Sequence, residues 1–338
     1  MQISSTEKLL KDGPAAPMAG SPGEASHASA DERPAPRPRS RGAGRVWAVG
    51  GGKGGVGKSL LTANVGITLA QMGKRVCVID ADLGGANLHS CLGVAQPSTT
   101  LDDFVTRRTE GLEELAVQTP VPNLSLISGA GHVLGAANPK YQTKMRLIRK
   151  IKSMDFDHVI LDLWAGTGFN TLDFFLSADL GVLVCLPEPT SIDNLYRFVK
   201  AAFFRRLRAL EPKFQVGALV QAAMAGDGGT RVSSPQALFE RIKTLDPEGG
   251  ARLHDAMRQF TPRLVVNQVR SGADASVGEQ VALAARNYFG FDLQFVGYLQ
   301  YDDTVWRAVR KRRPLLLEYP VSPLAGSLRE IVARILTP

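Results

Sequence analysis

Residues 49–59 read VGGGKGGVGKS and combine glycine, lysine and serine in a spacing that can bind phosphate groups. From Gly52 onward the order is G-x-x-x-x-G-K-S, which is the spacing of a P-loop. In such a loop the glycines let backbone N–H groups approach phosphate oxygens. Lys58 reaches the β- and γ-phosphates, and the hydroxyl of Ser59 can ligate Mg²⁺. The sequence therefore predicts a site for a nucleotide and its magnesium ion.

An acidic residue near the end of an apolar run is the second chemical signal. Residues 158–163 read HVILDL, which is typical of a buried strand. At the carboxyl end of that strand, Asp162 can hold the water shell of the magnesium ion. A residue that caps the next helix would give the same local pattern. Because the loop, its flanking strand and helix, and this acid occur together, nucleotide binding is the stronger prediction.

Lys53 is a second lysine in a loop that requires only one. The pattern K-G-G-x-G-K-S resembles the deviant P-loop of the MinD/ParA superfamily, and the resemblance extends over residues 45–336. In that family the extra lysine reaches across a dimer interface to the phosphates of the partner's ATP. The resemblance thus implies two ATP molecules sandwiched between two protomers. From the residues alone, Lys53 pointing into solvent is the alternative.

Further segments resemble the nucleotide-sensing parts of the same family. DADLGGANLHSCLG is similar to switch I, which implies that Asp82 positions the attacking water, Asp80 supports the magnesium shell and Asn87 makes polar contacts near the phosphates. DLWAGTGFNTL is similar to switch II, with Ala165 and Gly166 sensing the γ-phosphate.

Three other positions complete the resemblance. LPEPTSIDNLYRF is similar to a stretch that leads into an interface helix, and Asn267 stands where the family recognises adenine. Trp164 departs from the family, which has a small residue or proline there. The indole either packs against the following helix or restrains switch II, in which case hydrolysis is impaired.

The candidate site residues fall into three overlapping groups. Catalytic roles are expected for Lys53, Lys58 and Asp82, and magnesium ligation for Ser59, Asp80 and Asp162. The nucleotide-binding set is Gly52, Lys53, Gly54, Gly55, Val56, Gly57, Lys58, Ser59, Leu60, Asn87, Gly166 and Asn267.

Short apolar runs alternate with amphipathic stretches from residue 45 onward, which predicts an α/β fold. Strands are expected at 45–50, 75–80, 124–128, 158–163, 181–186, 263–268 and 294–299. Helices are expected near 58–72, 139–153, 192–210, 275–288, 304–312 and 322–336. The resulting prediction is a doubly wound, mainly parallel sheet of the P-loop NTPase type.

Two regions lie outside this alternation. Residues 1–44 form a Pro/Arg-rich tail that we expect to be disordered, and residues 45–338 form the ATPase domain. Within that domain, residues 212–261 are too many for an ordinary crossover and predict a small helical insertion. Ser234-Pro235 before QALFERIKTL is typical of a helix start, and GARLHDAMRQF predicts a second helix.

The predicted function is a dimerising molecular switch that binds ATP with Mg²⁺ and hydrolyses it slowly until a protein activator stimulates it. Two stretches, AGTGFNTLDFFLSAD at 165–179 and YDDTVWRAVRKRRPLLLEYPVSPLAGSLREIVARIL at 301–336, resemble FlhG-type proteins, which control flagellar number and placement. Spatial control of a flagellum or a similar structure is therefore expected. The alternatives are a ParA-like ATPase that binds DNA without sequence preference, and an ATP-binding regulator with impaired hydrolysis.

Charge and cysteine content bear on partners and location. The formal charge of +8 and the basic runs YRFVKAAFFRRLRAL and RAVRKRRP leave DNA open as a partner. Three widely spaced cysteines lack the pairing that a metal-cluster scaffold needs and predict a reducing, cytoplasmic compartment. The resemblance to the MinD/ParA superfamily adds association with the nucleoid or a cell pole as an expectation. The C-terminal helix has the spacing of a core helix, so peripheral membrane contact is less expected.

Overall fold

A computed structural model describes residues 44–82, 87–129, 141–225 and 234–337. In these parts of the chain, eight strands form one sheet in the order β3-β4-β2-β5-β1-β6-β7-β8. All neighbouring strands are parallel except β3 and β4. The strands are β1 Arg45–Gly50, β2 Val76–Asp80, β3 Val117–Gln118, β4 Leu124–Ile127, β5 His158–Asp162, β6 Leu180–Cys185, β7 Arg263–Val269 and β8 Gln294–Gln300.

Helices cover both faces of this sheet. Their bounds are α1 Lys58–Gln71, α2 Leu88–Cys91, α3 Leu101–Val105, α4 Tyr141–Ser153, α5 Phe169–Ser177, α6 Pro189–Phe214, α7 Gly217–Ala225, α8 Pro235–Leu245, α9 Pro247–Arg258, α10 Gly272–Phe289, α11 Asp303–Lys311, α12 Leu315–Glu318 and α13 Pro323–Leu336. A short 3₁₀ turn spans Glu113–Leu115. One hydrophobic core includes buried residues of α1 and α13, and the other includes those of α4, α5, α6 and α10. The predicted doubly wound fold is confirmed.

The predicted strands and helices agree with the structure within a few residues, with two informative exceptions. Helix α6 begins at Pro189 rather than at 192, because proline is well suited to the first helical position. It also continues through Pro212 to Phe214, beyond the predicted end at 210, and stops where Gln215 adopts a left-handed φ of 58°. Helix α5 was not predicted. Strand β3 and the short helices α2, α3 and α12 were not predicted either, since so few residues carry no periodic signal.

Three helices occupy the region where an insertion is predicted. Helix α8 starts after Ser234, whose hydroxyl accepts a hydrogen bond from the N–H of Ala237 at 3.1 Å. Helix α9 starts at Pro247, three residues earlier than GARLHDAMRQF suggests, because Asp246 caps it through the N–H of Gly249 at 2.9 Å. Helix α7 precedes both and lies against α6 and α8. The assignment of this region as an insertion stays a prediction, and residues 1–43 of the predicted tail 1–44 lie outside the described residues.

The helix α13 packs into the core, as its spacing predicts. Leu328, Ile331, Val332 and Ile335 are all buried, on the same side of the sheet as α1. None of the helices in the described ranges is long and apolar enough to cross a membrane.

Candidate nucleotide-binding site

The loop between β1 and α1 is shaped by close backbone contacts that only glycine permits. A Cβ atom at Gly52 would lie 2.0 Å from the carbonyl oxygen of Asn194 on α6, and one at Gly57 would lie 2.2 Å from Asn267 Nδ2. Gly57 also has a φ of 98°, in the left-handed region that other residues rarely adopt. The loop is therefore held against α6 and β7, and helix α1 begins directly after it with its N-terminal N–H groups at the loop.

Lys58 lies on the floor of this loop. Its side chain is buried, and its Nζ donates to the backbone carbonyl of Lys53 at 3.3 Å. Burial lowers the pKa of the ammonium, while the nearby carboxylates of Asp162 and Asp82 act in the opposite direction. A buried cation under a ring of backbone N–H groups is placed to bind an anionic phosphate chain.

Asp162 ends β5 next to the start of α1, as predicted. It is buried and accepts hydrogen bonds from the hydroxyls of Ser59 and of Thr62, the latter at 3.1 Å. Burial raises the pKa of Asp162 to about 6, although those hydroxyls and Lys58 lower it. The predicted magnesium pair Ser59 and Asp162 is thus in direct contact in the structure.

Asp80 ends the neighbouring strand β2 and is equally buried. Its two carboxylate oxygens accept the backbone N–H groups of Asp82 at 3.1 Å and of Leu88 at 2.9 Å. Burial, followed by repulsion from Asp162, raises the pKa of Asp80 to about 7. The side chain therefore ties the end of β2 to the start of α2 across residues 83–86, which lie outside the described part of the chain.

The donors around Lys58 fit a magnesium ion. Mg²⁺ prefers oxygen ligands and is held in nucleotide sites by one or two carboxylates or hydroxyls together with substrate phosphates. Ser59, Asp80 and Asp162 supply a hydroxyl and two carboxylates at adjacent strand ends, and the two carboxylates repel each other. These three residues would hold the ion.

Lys53 lies at the rim of the same loop. Its side chain is 43% exposed, and its Nζ is 3.9 Å from Glu188 Oε2 and 3.5 Å from Thr190 Oγ1. Glu188 and Thr190 stand at the start of α6, in the segment that resembles an interface stretch. The amine therefore points neither into the floor beside Lys58 nor into open solvent.

Asn267 makes a contact that the sequence did not predict. Its Nδ2 donates to the carbonyl of Val56 at 2.9 Å, and its Oδ1 accepts the N–H of Gln268 at 2.9 Å. In this structure the side chain therefore fixes the P-loop to the end of β7. Recognition of adenine by Asn267 stays a prediction.

The segment after β5 runs alongside the P-loop. The N–H of Leu163 donates to Val49 at 3.0 Å, and that of Gly166 donates to Gly51 at 3.2 Å. Gly166 has a φ of 92° and open space on the side where a Cβ would lie. Trp164 is 45% exposed, and Phe169 at the start of the next helix is 72% exposed.

The remaining predicted site residues occupy the loop or its edge. Gly54 and Gly55 are exposed, Val56 is buried and Leu60 is half-buried on α1. Asn87 is exposed at the start of α2, and Asp82 is half-buried after β2. Thr62, Asn194 and the pair Glu188–Thr190 are site residues that sequence reasoning missed, since only the folded chain shows their contacts with Asp162, Gly52 and Lys53.

A strand, a glycine-rich loop, a helix and an acid on an adjacent strand together define a P-loop NTPase. Comparison with known proteins agrees with that class. The ParA family model, described as NUBPL iron-transfer P-loop NTPase, matches residues 43–209. The antiactivator FleN of Pseudomonas aeruginosa is 26% identical over 295 residues, covering 86% of each chain. The flagellum site-determining protein YlxH of Helicobacter pylori is 31% identical over 166 residues, covering 48% of this chain and 54% of that protein.

A solved structure extends the likeness to the fold. The septum site-determining protein MinD of Pyrococcus horikoshii, complexed with Mg-ADP, is 20% identical and has a TM-score of 0.57. The match covers 87% of this chain and 96% of that one. The chain belongs to the ParA/MinD family of P-loop NTPases.

Proposed function

We propose that this protein is an ATP-dependent dimerising switch that binds ATP with Mg²⁺, hydrolyses it slowly and controls the position or number of a cellular structure. The observation that carries the proposal is the separation of the two loop lysines. Lys58 is buried on the floor, whereas Lys53 is exposed at the rim, 3.9 Å from Glu188. An amine at the rim can serve a nucleotide held by a facing copy.

Each residue of the floor has a part in this proposal. Backbone N–H groups of the loop and Lys58 bind the phosphates and stabilise negative charge that develops during hydrolysis. Ser59, Asp162 and Asp80 hold the magnesium ion, which neutralises charge on the phosphate oxygens when it is bound. Asp82 orients the attacking water. We propose that turnover is slow and that a protein activator accelerates it by reordering the segments after β2 and β5.

Exposed aromatic side chains at the rim support an interface there. Trp164 is 45% and Phe169 is 72% exposed, and they flank the segment whose Gly166 bonds to the P-loop. Aromatic residues are enriched at protein interfaces, where they bury large areas at low entropic cost. A facing protomer that covers this edge would bury both.

The names of the relatives support spatial control as the biological role. FleN is called an antiactivator, YlxH a flagellum site-determining protein and MinD a septum site-determining protein. A role at a flagellum, or at another structure placed once or a few times per cell, fits this set. We place the protein in the cytoplasm, at the nucleoid or at a pole according to its partner.

DNA and metal clusters are less well supported by the structure. In the basic run of α6, Arg205 bonds to Asp173 at 2.8 and 2.9 Å, and Arg206 donates to the carbonyl of Ala256 at 2.9 Å, so the exposed cations of that helix are fewer than the sequence suggests. Cys185 is buried, which raises the pKa of its thiol to about 12.

Sedimentation of the wild-type protein and of Lys53→Ala, with ATP, with ADP and without nucleotide, tests the proposal. The wild type should dimerise only with ATP, and Lys53→Ala should bind ATP but stay monomeric. A wild-type protein that remains monomeric with ATP, or a Lys53→Ala variant that dimerises normally, contradicts the switch. Hydrolysis measured with added DNA or vesicles then separates the DNA-binding alternative and the regulator with impaired hydrolysis.

A further inference from the structure

Helix α11 presents apolar side chains on its outer side as well as its inner side. Ala308 is buried and Val305 is half-buried against the core, as expected for a helix that packs on a domain. On the outer side, however, Trp306 is 61% and Val309 is 44% exposed. Because these two residues are three apart on a helix, they are neighbours on one face.

Basic side chains flank these exposed apolar groups. Arg310 follows Val309 on the same face, and its guanidinium lies 5.1 Å from the ring of Trp306. Residues 303–321 contain five Lys and Arg residues and two acids, which gives a net charge of +3. One of the two acids, Glu318, is already engaged by Lys311 at 2.6 Å and Arg313 at 3.9 Å.

The exposed apolar surface continues beyond the helix. Lys311 and Arg313 bind Glu318 and so hold the short helix α12 beside the end of α11. Next to Glu318, Leu317 is exposed, and Val321 in the following turn is 94% exposed. We define the α11 patch by its members: Trp306, Val309, Arg310, Arg313, Leu317 and Val321.

We propose that the α11 patch docks onto an anionic lipid surface. At a membrane interface, tryptophan and aliphatic side chains enter the boundary between headgroups and acyl chains, while arginines contact anionic headgroups. The patch offers both groups side by side, with a positive charge complementary to that surface. Three of its four apolar members, Val309, Leu317 and Val321, are aliphatic and cannot stack on nucleic acid bases, so a single-stranded nucleic acid fits less well.

The α11 patch shares no residue with the P-loop site, so lipid docking and nucleotide binding can be tested separately. It does lie close to a nucleotide-sensing element. Helix α11 contacts α2. The first residue of α2, Leu88, donates its backbone N–H to the carboxylate of Asp80. Arg312 also acts on α2, where, after burial, it contributes to lowering the pKa of His89.

Co-flotation of the full-length protein with vesicles tests the proposal. Two vesicle types are compared, pure phosphatidylcholine and phosphatidylcholine mixed with phosphatidylglycerol. The wild type should bind only the anionic vesicles, and added salt should weaken that binding. Arg310→Gln/Arg313→Gln should weaken it by more than about tenfold, since each arginine near an anionic surface contributes about fivefold. Trp306→Ser should weaken it by about tenfold through lost apolar burial.

Matched controls keep charge and hydrophobicity effects apart. Arg149→Gln/Lys150→Gln removes the same charge from the exposed side of α4, and Leu283→Ser removes an exposed apolar side chain from α10. Both should bind vesicles as the wild type does. Thermal unfolding of every variant should match the wild type, because all of these side chains are exposed.

Three results overturn the proposal. The first is that the wild type does not bind anionic vesicles. The second is that the α4 control variant loses as much vesicle binding as Arg310→Gln/Arg313→Gln, and the third is that Trp306→Ser binds vesicles as the wild type does. Binding to duplex DNA that requires Arg310 and Arg313, without vesicle binding, would assign the patch to nucleic acid instead. If the protein binds ATP normally but does not bind vesicles, the proposed lipid-docking surface is refuted, whereas the proposed nucleotide switch is not affected.

Discussion

The floor and the rim of the P-loop contain one lysine each, and the two environments are opposite. Lys58 is buried, and the pKa of its ammonium is lowered by burial against the attraction of Asp162 and Asp82. Lys53 is 43% exposed, and its amine contacts the side chains of Glu188 and Thr190 at the start of α6. Under the proposed function, the floor binds the protomer's own nucleotide and the rim contacts the nucleotide of a facing copy.

The rest of each region follows the same division. On the floor, carboxylates, hydroxyls and backbone N–H groups satisfy one another in the core, as with Asp162 and Thr62 at 3.1 Å. At the rim, Trp164 and Phe169 expose aromatic surface that the protomer does not cover. A floor substitution should therefore affect nucleotide binding at any protein concentration, whereas a rim substitution should act through self-association.

The largest expected effect comes from replacing the floor lysine. Lys58→Ala removes the buried cation that meets the phosphates, so hydrolysis should fall by about 10²–10³-fold. ATP binding, measured by calorimetry, should weaken strongly as well. Lys53→Ala is the matched variant at the rim and should keep ATP affinity within a few-fold. Equal losses of ATP affinity in both variants would break the distinction between floor and rim.

The ion pairs that hold α6 against α4 and α5 can be tested by the pH dependence of stability. Burial favours a raised pKa for Asp173, but hydrogen bonds from Arg205 and Lys144 outweigh it and lower the pKa. These contacts join α4, α5 and α6, the helix that carries Glu188 and Thr190 at its start. Asp173→Asn leaves the buried Lys144 without its counter-charge and should cost about 2 kcal/mol in the free energy of unfolding at neutral pH.

The sign of the pH dependence follows from the lowered pKa. The carboxylate of Asp173 contributes its stability above the unfolded-state value of about 3.9 and loses it as the pH falls through the lower folded value. Urea unfolding of wild type and Asp173→Asn should therefore differ by a constant amount near neutrality and converge in acid. A difference that stays constant down to pH 2 would mean that the ion pairs contribute nothing.

Glycine substitutions in the loop should have a smaller effect. Gly57→Ala places a Cβ atom 2.2 Å from Asn267 Nδ2 at a φ of 98°, so we expect a loss of about 1–2 kcal/mol in stability. ATP affinity should fall with it, because Asn267 holds the loop through Val56. Gly54→Ala is the control, since nothing lies within 4 Å of the added carbon. Similar thermal unfolding and ATP affinity in the two variants would show that the contact with Asn267 is dispensable.

The central strands and the floor residues could be predicted from sequence for physical reasons. Buried parallel strands are apolar on both faces, so β1 and β5 appear as uninterrupted apolar runs with sharp ends. A P-loop needs its glycines and lysine at fixed spacing, and an acid at the end of β5 completes it. Local sequence alone therefore specifies Lys58, Ser59 and Asp162.

The rim and its supports could not be predicted in the same way. The contact of Lys53 with Glu188 joins residues far apart in the chain, and the bond of Asn267 to Val56 spans 211 positions. Helix α5, with the sequence FNTLDFFLS, was not predicted from the sequence either. The exposure of Trp164 depends equally on which elements surround it.

Mixing two inactive variants tests most directly whether Lys53 serves the nucleotide of a facing copy. Lys53→Ala lacks the rim lysine, and Asp82→Ala keeps it but cannot orient the attacking water. In a mixed dimer, the nucleotide site of the Lys53→Ala protomer has its own Asp82 and receives Lys53 from the Asp82→Ala protomer, so it is complete. The double variant Lys53→Ala/Asp82→Ala, mixed with Lys53→Ala, is the control without any rim lysine.

We expect Lys53→Ala and Asp82→Ala, each inactive alone, to regain ATPase activity when mixed in equal amounts, up to roughly half of the wild-type rate if every dimer is mixed, because each mixed dimer then holds one complete site. The control mixture should remain inactive. If the first mixture also remains inactive although both variants bind ATP and associate, Lys53 acts on its own protomer, and the account is contradicted.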